Sequence, residues 1–354
     1  VYIQPQARAG EGFERFNWDA PIVVSPHKPS RLYFASYRVW RSEDRGDSWT
    51  PISDDLTRNE ERISLPIMGK VQSWDSPWDV NAMSNYNTIT SLSESPLQAG
   101  LLYAGTDDGI IQITEDGGQN WKKVEVGALP GVPATAFVND IKADLHDVNT
   151  VYVALDNHKY GDFKPYLLKS TNKGKSWKSI SSNLKDRNLV WRMVQDHVKP
   201  ELLFAATEKG IFFSINSGGK WIKLSSDANI SFRDLAIQKR ENDLVGASFG
   251  RGFFVLDDYS PLRDISSQQL REEATLFATR KAWLYRPRSV VGNQGASFYT
   301  APNPDFGAVF TYYLSDRYST QKSARKKSER KLAKGDKDIP FPGWDALQDE
   351  MQQA

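Results

Sequence analysis

Four carboxylic acids lie in segments that the apolar runs of the sequence leave as loops, and two of them placed together could hydrolyse a glycosidic bond. They are Asp107, Asp108, Asp162 and Glu208. An inverting glycosidase needs a general acid and a general base whose carboxyl groups stand about 6.5–9.5 Å apart. Asp107 and Asp108 precede Gly109, and this order is also an ordinary turn signal. Catalysis by paired carboxylates is therefore an alternative hypothesis rather than the main one.

Arginines offer a second chemistry, which is the binding of a substrate carboxylate. Four arginines fall in segments expected near the centre of the domain: Arg38, Arg192, Arg233 and Arg251. Hydrolysis of a sialic acid would require three arginines on the carboxylate and also a Tyr/Glu pair that supplies the nucleophile. No such Tyr/Glu pair is evident in the sequence, so this reaction is not favoured.

Aromatic and basic side chains in the longer insertions could bind a ligand without any reaction. Aromatic rings stack on sugar rings, and basic groups pair with acidic ones. The candidates for this role are Arg38, Trp74, Trp78, His158, Tyr160, Lys164 and Arg251. The same insertions could simply cover one end of the domain, and both interpretations stay open at this stage.

The composition argues against several other kinds of site. The 354 residues include no cysteine, which removes thiolate catalysis, disulfides and cysteine metal sites. None of the four histidines pairs with another at metal-ligand spacing, so neither a metal nor another cofactor is predicted. A net charge of +1 gives no reason to expect a nucleic-acid partner. No run of about 18 apolar residues predicts a membrane span, and the oligomeric state stays open.

One eight-residue pattern, S/T-x-D/N-x-G-x-x-W, occurs four times, and we call its copies the motif turns. Their defining residues are Ser42, Asp44, Gly46 and Trp49; Thr114, Asp116, Gly118 and Trp121; Ser170, Asn172, Gly174 and Trp177; and Ser214, Asn216, Gly218 and Trp221. Glycine supplies the positive φ of a tight turn, and the Asp or Asn side chain accepts hydrogen bonds from turn N–H groups. A calcium loop would need several carboxylates, and each copy offers one or two. The pattern therefore predicts structural hairpin turns, with the tryptophans in the core.

Each motif turn follows an apolar segment of one type, and the combination repeats along the chain. These segments are residues 31–36, 101–106, 150–155 and 202–207. A fifth copy at 243–248 leads into residues 252–257 but has no tryptophan. The shortest step between motif tryptophans is 44 residues, from Trp177 to Trp221, and a four-stranded propeller blade takes about 40–50 residues. The sequence therefore predicts an all-β fold, a β-propeller with at least five four-stranded antiparallel blades, and we expect it to be part of a larger propeller.

The extent of the repeat sets the predicted domain boundaries. Blades fill residues 1–258, an extended closing or linker segment fills 259–300, and a truncated C-terminal domain with a β-sandwich-like start fills 301–354. Residues 316–337 hold nine Lys/Arg against three Asp/Glu, which favours a solvated helix or loop over a nucleic-acid-binding arm. In each blade the motif turn joins the third and fourth strands. The candidate site residues therefore fall on the opposite face.

The motif turns resemble the Asp-box, or BNR repeat, of sialidases, sortilin-type receptors and xyloglucan-hydrolysing propellers. Further segments are similar to those of large bacterial exported proteins labelled sortilin-like or BNR-repeat glycosyl hydrolases: residues 17–27, 55–58, 65–69, 162–166 and 250–258. The resemblance covers about residues 1–345. It implies a secreted, periplasmic or cell-surface protein, and further blades upstream of this sequence.

The main functional hypothesis is an exported binding or scaffold propeller that recognises a protein, peptide or glycan on the face opposite the motif turns. One alternative is a glycoside hydrolase that acts on a polysaccharide through paired carboxylates. Another is an assembly factor similar to the photosystem stability propellers. Because propellers serve many functions, the fold alone does not choose among these hypotheses.

Overall fold

The computed structural model describes residues 2–67, 69–73, 85–224, 229–266, 268–286, 306–316 and 318–352. The chain divides into two compact units, Val1–Arg263 and Asp264–Ala354. Strands dominate the first unit, whereas the two longer helices lie in the second. The predicted propeller segment ended at Asp258, and the first unit extends to Arg263.

The first unit is built from small antiparallel sheets in which consecutive strands are neighbours. The first sheet contains β1 (Ile22–Val24), β2 (Leu32–Ala35), β3 (Val39–Ser42) and β4 (Thr50–Pro51), and a hairpin of β5 (Pro66–Ile67) and β6 (Lys70–Val71) follows. The second contains β7 (Ile89–Glu94), β8 (Leu102–Thr106), β9 (Ile110–Thr114) and β10 (Lys122–Glu125). The third contains β11 (Phe137–Ala143), β12 (Val151–Asn157), β13 (Asp162–Ser170) and β14 (Lys178–Ser179).

Two more sheets complete the series. The fourth contains β15 (Val190–Gln195), β16 (Leu203–Thr207), β17 (Gly210–Ser214) and β18 (Ile222–Lys223). The fifth has three strands, β19 (Phe232–Gln238), β20 (Asp243–Ser248) and β21 (Phe253–Leu256). Short 3₁₀ turns lie between strands at Arg62–Ser64, Val126–Ala128 and His158–Tyr160.

Apolar side chains between neighbouring sheets form the core. Between the second and third sheets, Ile111 and Tyr103 pack in one buried cluster with Val138 and Val153. Burying one such aliphatic side chain stabilises the fold by about 1.5–3 kcal/mol. The innermost strands β1, β7, β11, β15 and β19 contact one another in that order. This arrangement is a five-bladed β-propeller, which confirms the predicted all-β fold class.

Each of the four motif turns contains the same set of hydrogen bonds. In the first, the Ser42 hydroxyl donates to Asp44 Oδ1 (2.7 Å) and accepts from the Gly46 N–H (2.8 Å). The Ser48 N–H then donates to the same Asp44 oxygen (2.9 Å). Hydrogen bonds from Ser48 and Ser42 hold the pKa of Asp44 at about 2. Equivalent bonds recur in the other three turns, so local bonds account for each turn.

The motif tryptophans link neighbouring parts of the chain. Three indole N–H groups donate to a main-chain carbonyl of the preceding sheet or segment: Trp49 to Ile3 (2.6 Å), Trp121 to Ile52 (3.2 Å) and Trp221 to Ile180 (2.7 Å). Trp177 donates to Gly174 of its own turn (3.2 Å). Trp221 is buried, whereas the other three are half-buried. Trp121 and Trp177 nevertheless pack against buried core clusters.

The fifth sheet carries an apolar face that no other sheet covers among the described residues. By strand register, Phe253 and Val255 in β21 occupy the positions of Ile211 and Phe213 in β17. Ile211 and Phe213 pack between the fourth and fifth sheets and are 8% and 7% exposed. Phe253 and Val255 are 79% and 57% exposed. The surface therefore has the chemistry of an inter-sheet face, while the larger propeller stays a prediction.

The second unit joins the two segments that the sequence had separated at residue 300. Strand β22 (Ala274–Leu276) from the predicted linker pairs with β23 (Tyr312–Leu314) from the predicted C-terminal domain. The segment 282–285, predicted to be extended, forms no regular strand. The basic run holds helix α2 (Gln321–Lys334), which is exposed along most of its length, and α3 (Trp344–Gln352) follows. A further helix, α1 (Pro261–Asp264), lies at the end of the first unit.

Among the described residues, no helix combines the length and the apolar character that crossing a bilayer requires.

Candidate functional site

Two adjoining cavities lie on the side of the first unit that carries the loops between second and third strands. The inner-strand cavity, about 510 Å³, is lined by residues of β7, β11, β15 and β19. The aromatic cavity, about 440 Å³, is lined by rings that include Tyr86, Tyr160 and Phe163. Four residues line both cavities: Phe137, Asp156, His158 and Lys159. The two cavities therefore form one continuous candidate site.

A β-bulge in each of four innermost strands turns one side chain towards the inner-strand cavity. The strand register skips one residue in each case: Thr90 in β7, Asn139 in β11, Trp191 in β15 and Arg233 in β19. All four line the inner-strand cavity. Bulges commonly re-aim side chains beside functional sites. The repeated bulge is thus what builds this cavity.

Thr90, Asn139 and Trp191 were not among the predicted site residues, and Arg233 was a candidate only for sialic-acid hydrolysis. A signal was present, since each bulged residue stands at the same place in the repeat. It follows one apolar residue and precedes one polar residue, as in Ile89-Thr90-Ser91 and Phe232-Arg233-Asp234. Aligning the innermost strands of the repeats would have revealed this position.

The basic residues of the inner-strand cavity differ in the hydrogen bonds and ion pairs that they form with the rest of the protein. Arg192 Nη1 donates to the Asn139 carbonyl (2.6 Å) and to Asp140 Oδ1 (3.3 Å). By contrast, the Arg233 guanidinium lies 3.6 Å from the centre of a Trp191 ring, and Lys159 Nζ lies 4.8 Å from that of Phe137. Neither Arg233 nor Lys159 forms an ion pair with any described residue.

Glu208, a predicted catalytic candidate, positions Trp191 beneath Arg233. Glu208 Oε2 accepts hydrogen bonds from Trp191 Nε1 (3.1 Å) and from the Ser231 hydroxyl (2.9 Å). The His158 ring meets Trp191 edge-on, with 5.7 Å between ring centres. Its Nδ1 is hydrogen-bonded to Asp156. The indole is therefore buried and held from two sides.

Asp108 and Asp162, two other candidate carboxylates, are engaged in hydrogen bonds outside the cavities. Asp108 accepts hydrogen bonds from the Arg58 N–H (2.6 Å) and from the Thr106 hydroxyl. Asp162 accepts one from the Tyr166 hydroxyl (2.5 Å). Neither Asp108 nor Asp162 lines either cavity among the described lining residues. Both side chains therefore serve the local structure of their loops.

Asp107 is the one candidate carboxylate in the cavity wall. It lines the aromatic cavity but is almost fully buried, and it accepts hydrogen bonds from Thr88 N (2.8 Å), Thr88 Oγ1 (2.7 Å) and Asn17 Nδ2 (3.3 Å). Burial outweighs these bonds and raises the pKa of Asp107 to about 7. The carboxyl group can therefore hold a proton close to neutral pH.

The raised pKa predicts a pH dependence of stability. The folded state keeps the Asp107 proton up to about pH 7, whereas the unfolded chain releases it near pH 4, so the free energy of unfolding should fall between these values. Asp107→Asn, which retains the side-chain shape, should remove about 1–3 kcal/mol of that fall. Urea unfolding at pH 4.5, 6 and 7.5 measures it.

The control is Asp54→Asn at an exposed carboxylate with no hydrogen bond recorded to its side chain. It should retain the pH slope of the parent protein. An unchanged slope in Asp107→Asn would contradict the assignment.

The predicted ligand-binding residues fall into separate places. His158 lines both cavities, and Tyr160 lines the aromatic one. Arg38 is engaged elsewhere, since its Nη2 donates to Glu14 (2.8 Å) and to Glu11 (2.6 Å). Two further candidates, Lys164 and Arg251, are exposed and line neither cavity. Trp74 and Trp78 lie outside the described residues.

No group of three or more potential metal ligands was found among the described residues.

Comparison with solved structures finds other propellers. The GH74 enzyme of Niastella koreensis superposes with a TM-score of 0.50 at 13% identity, covering 70% of this chain and 37% of that chain. An ancestral GH74 enzyme gives 0.48 at 16% identity, covering 66% and 28%. YCF48 from Cyanidioschyzon merolae gives 0.39 at 13%, covering 68% and 71%.

No protein-family model and no curated protein matches the sequence. The identities to the solved structures are too low to indicate more than a fold. This chain spans well under two thirds of either GH74 protein. The comparisons therefore support a β-propeller.

Proposed function

We propose that this chain is a ligand-binding propeller whose ligand lies across the inner-strand and aromatic cavities. The observation that carries the proposal is that the two cavities share Phe137, Asp156, His158 and Lys159. One continuous surface thus combines aromatic rings with a few polar groups, and ligand sites of about 300–1,000 Å³ usually have this character. The ligand is a glycan, a peptide or a segment of another protein.

The resemblance supports the finer parts of the same proposal. Under it, the motif turns are Asp-box repeats of a sortilin-like exported protein, and binding takes place outside the cytoplasm. The hydrogen bonds of the motif turns agree with a structural role, because every recorded side-chain partner of Asp44 lies within the turn. The ligand then belongs on the opposite face, where the cavities open.

Glycan and peptide arrays probed with the labelled protein test the proposal. We expect a set of bound ligands whose signals fall at least tenfold in Tyr160→Ala and Phe163→Ala, because both rings line the aromatic cavity. Phe13→Ala serves as the control, since Phe13 is an exposed ring that lines neither cavity. Binding that survives both cavity variants, or no binding on either array, would contradict the proposal.

A glycoside hydrolase is the second candidate, and one observation favours it. Asp107 lines the aromatic cavity with a pKa near 7, and an acid that keeps its proton can protonate a leaving group. Against it, Glu208 already accepts bonds from Trp191 and Ser231. Reducing-sugar assays on polysaccharides separate the two functions. Release abolished by Asp107→Asn would establish the hydrolase, and we expect no release.

A further inference from the structure

Arg233 presents an oriented guanidinium at the inner-strand cavity. Its Cζ lies 3.6 Å from the centre of a Trp191 ring and 5.2 Å from that of Phe249. A guanidinium against an aromatic face keeps its in-plane N–H donors available at the edge of the ring. Those donors match the two oxygens of a carboxylate. No described residue supplies that carboxylate to Arg233.

The support beneath Arg233 is rigid. The Trp191 indole is buried, its N–H is bonded to Glu208, and the edge of the His158 ring packs against it. A group held in position before binding loses less side-chain entropy when a ligand arrives. Arg233 is therefore set to bind an anion and is more than a solvated surface charge.

The charged side chains of the inner-strand cavity differ in whether they already have an ionic partner. Arg192 Nη1 lies 3.3 Å from Asp140 Oδ1 and its Nε lies 3.7 Å from Asp234 Oδ1. Asp156 is paired with His158. Three carboxylates also line the cavity, and Asp19 and Asp234 are exposed, so the formal charges of the lining balance. Lys159 and Arg233 nevertheless form no ion pair with any described residue, which leaves these two groups available to an acidic ligand.

The rest of the lining suits a polyhydroxylated ring. Asn139 Nδ2 donates to the Val190 carbonyl, so the oxygen of this side chain can still accept from a hydroxyl group. Phe249 is largely exposed beside Arg233, and Phe163 is partly exposed in the aromatic cavity. Such ring faces stack on sugars.

We propose that the joined cavities bind an acidic oligosaccharide, with a uronate carboxylate on Arg233 and Lys159 and a neighbouring sugar in the aromatic cavity. The inference rests on the proposed function and names the chemistry of its ligand. It requires a carboxylate, and it therefore differs from the binding of a neutral glycan at the same place.

Calorimetry with a panel of uronate tetrasaccharides tests the inference on the full chain. The panel contains galacturonate, mannuronate and glucuronate-containing sugars, each beside its neutral methyl ester. We expect at least one acid to bind, with its methyl ester about ten- to a hundredfold weaker, because hydrogen bonds to charged groups are lost. Arg233→Gln should weaken the acid by a similar factor and leave the ester unchanged, with Arg233→Lys between them.

Arg240→Gln is the matched control, because Arg240 is an exposed arginine in the turn between β19 and β20 that pairs with Glu241 and lines neither cavity. If the acid and its methyl ester bind with equal affinity, and binding requires Tyr160, the inference is wrong and the proposed function stays intact. If tetraglutamate binds through Arg233 and no uronate binds, the ligand is an acidic peptide, and the inference of an acidic sugar is wrong. Absence of uronate binding also overturns it, and array binding then decides the proposed function separately.

Discussion

Replacing Asp196 with alanine should destabilise the protein by about 3–5 kcal/mol, because it leaves the largely buried guanidinium group of Arg263, 15% exposed, without its carboxylate partner. Asp196 is fully buried and lies just after β15. Its Oδ2 accepts from Arg263 Nε (2.9 Å), and its Oδ1 accepts from Arg263 Nη2 (2.7 Å) and from the Tyr259 hydroxyl (2.6 Å). The carboxylate thereby ties the segment after the fifth sheet to the fourth sheet.

The Asp196 carboxylate should also make the free energy of unfolding depend on pH in the acidic range. The hydrogen bonds and charge of Arg263, with the Tyr259 hydroxyl, overcome burial and hold the pKa of Asp196 at about 2. Because this value lies below that of the unfolded chain, the stabilisation is present above about pH 4 and is lost as the pH falls through about 2. It amounts to about 2 kcal/mol. Asp196→Ala should lack this part of the acid dependence.

Urea unfolding at pH 7 and pH 3 provides the measurement, with Asp257→Ala as the matched control. Asp257 is an exposed aspartate that lies directly after β21 and just before the closing segment. Its loss should change the free energy of unfolding by no more than about 0.5 kcal/mol. If Asp196→Ala proved as stable as Asp257→Ala, the contacts of Arg263 and Tyr259 would not hold the closing segment.

The propeller could be predicted because its turns are encoded locally. In the first motif turn, Ser42, Asp44, Gly46 and Ser48 supply both donors and acceptors within seven residues. A network that closes over so short a stretch leaves its pattern in the sequence wherever it recurs. Four recurrences then fixed the spacing of the strands, and with it the blade.

The cavity could not be predicted in the same way, because its residues depend on pairing between strands. Arg233 faces the cavity since the register between β19 and β20 skips it. A bulge is a property of two strands, and neither strand shows it alone. Arg38 illustrates the opposite error, because its partner Glu14 lies outside the repeat and cannot be recognised from spacing. A position on the correct face is thus no assurance of a free side chain.

The hydrogen-bond partners of two catalytic candidates could not be predicted for a related reason, because they come from other strands or segments. Glu208 meets Trp191 and Ser231, and Asp107 meets Asn17 from far upstream. Residue type and loop position show where an acid can act, whereas only the folded chain shows whether its oxygens are already engaged.

The motif tryptophans allow a direct test of how much the same position of the repeat contributes to stability in different blades. Trp221→Ala should destabilise the protein by about 3–5 kcal/mol, as expected for removal of a buried indole. Trp221 is 2% exposed and packs with Leu203, Ile180 and Leu184. Its N–H also bonds to the Ile180 carbonyl of the preceding sheet. Removal therefore opens a cavity and breaks a link between two blades.

Trp177→Ala is the matched comparison, and it should cost about half as much or less. Trp177 is half-buried and packs at the edge of a core cluster, and its N–H bonds within its own turn, to Gly174, so that no hydrogen bond between blades is lost. Trp221→Phe should fall between the two, because it keeps most of the ring and loses the hydrogen bond. Equal losses of unfolding free energy for the two alanine variants would mean that the tryptophan acts through its own turn alone. A larger loss at Trp221 would show that its deeper burial and its bond to the preceding blade make it the more important of the two tryptophans for stability.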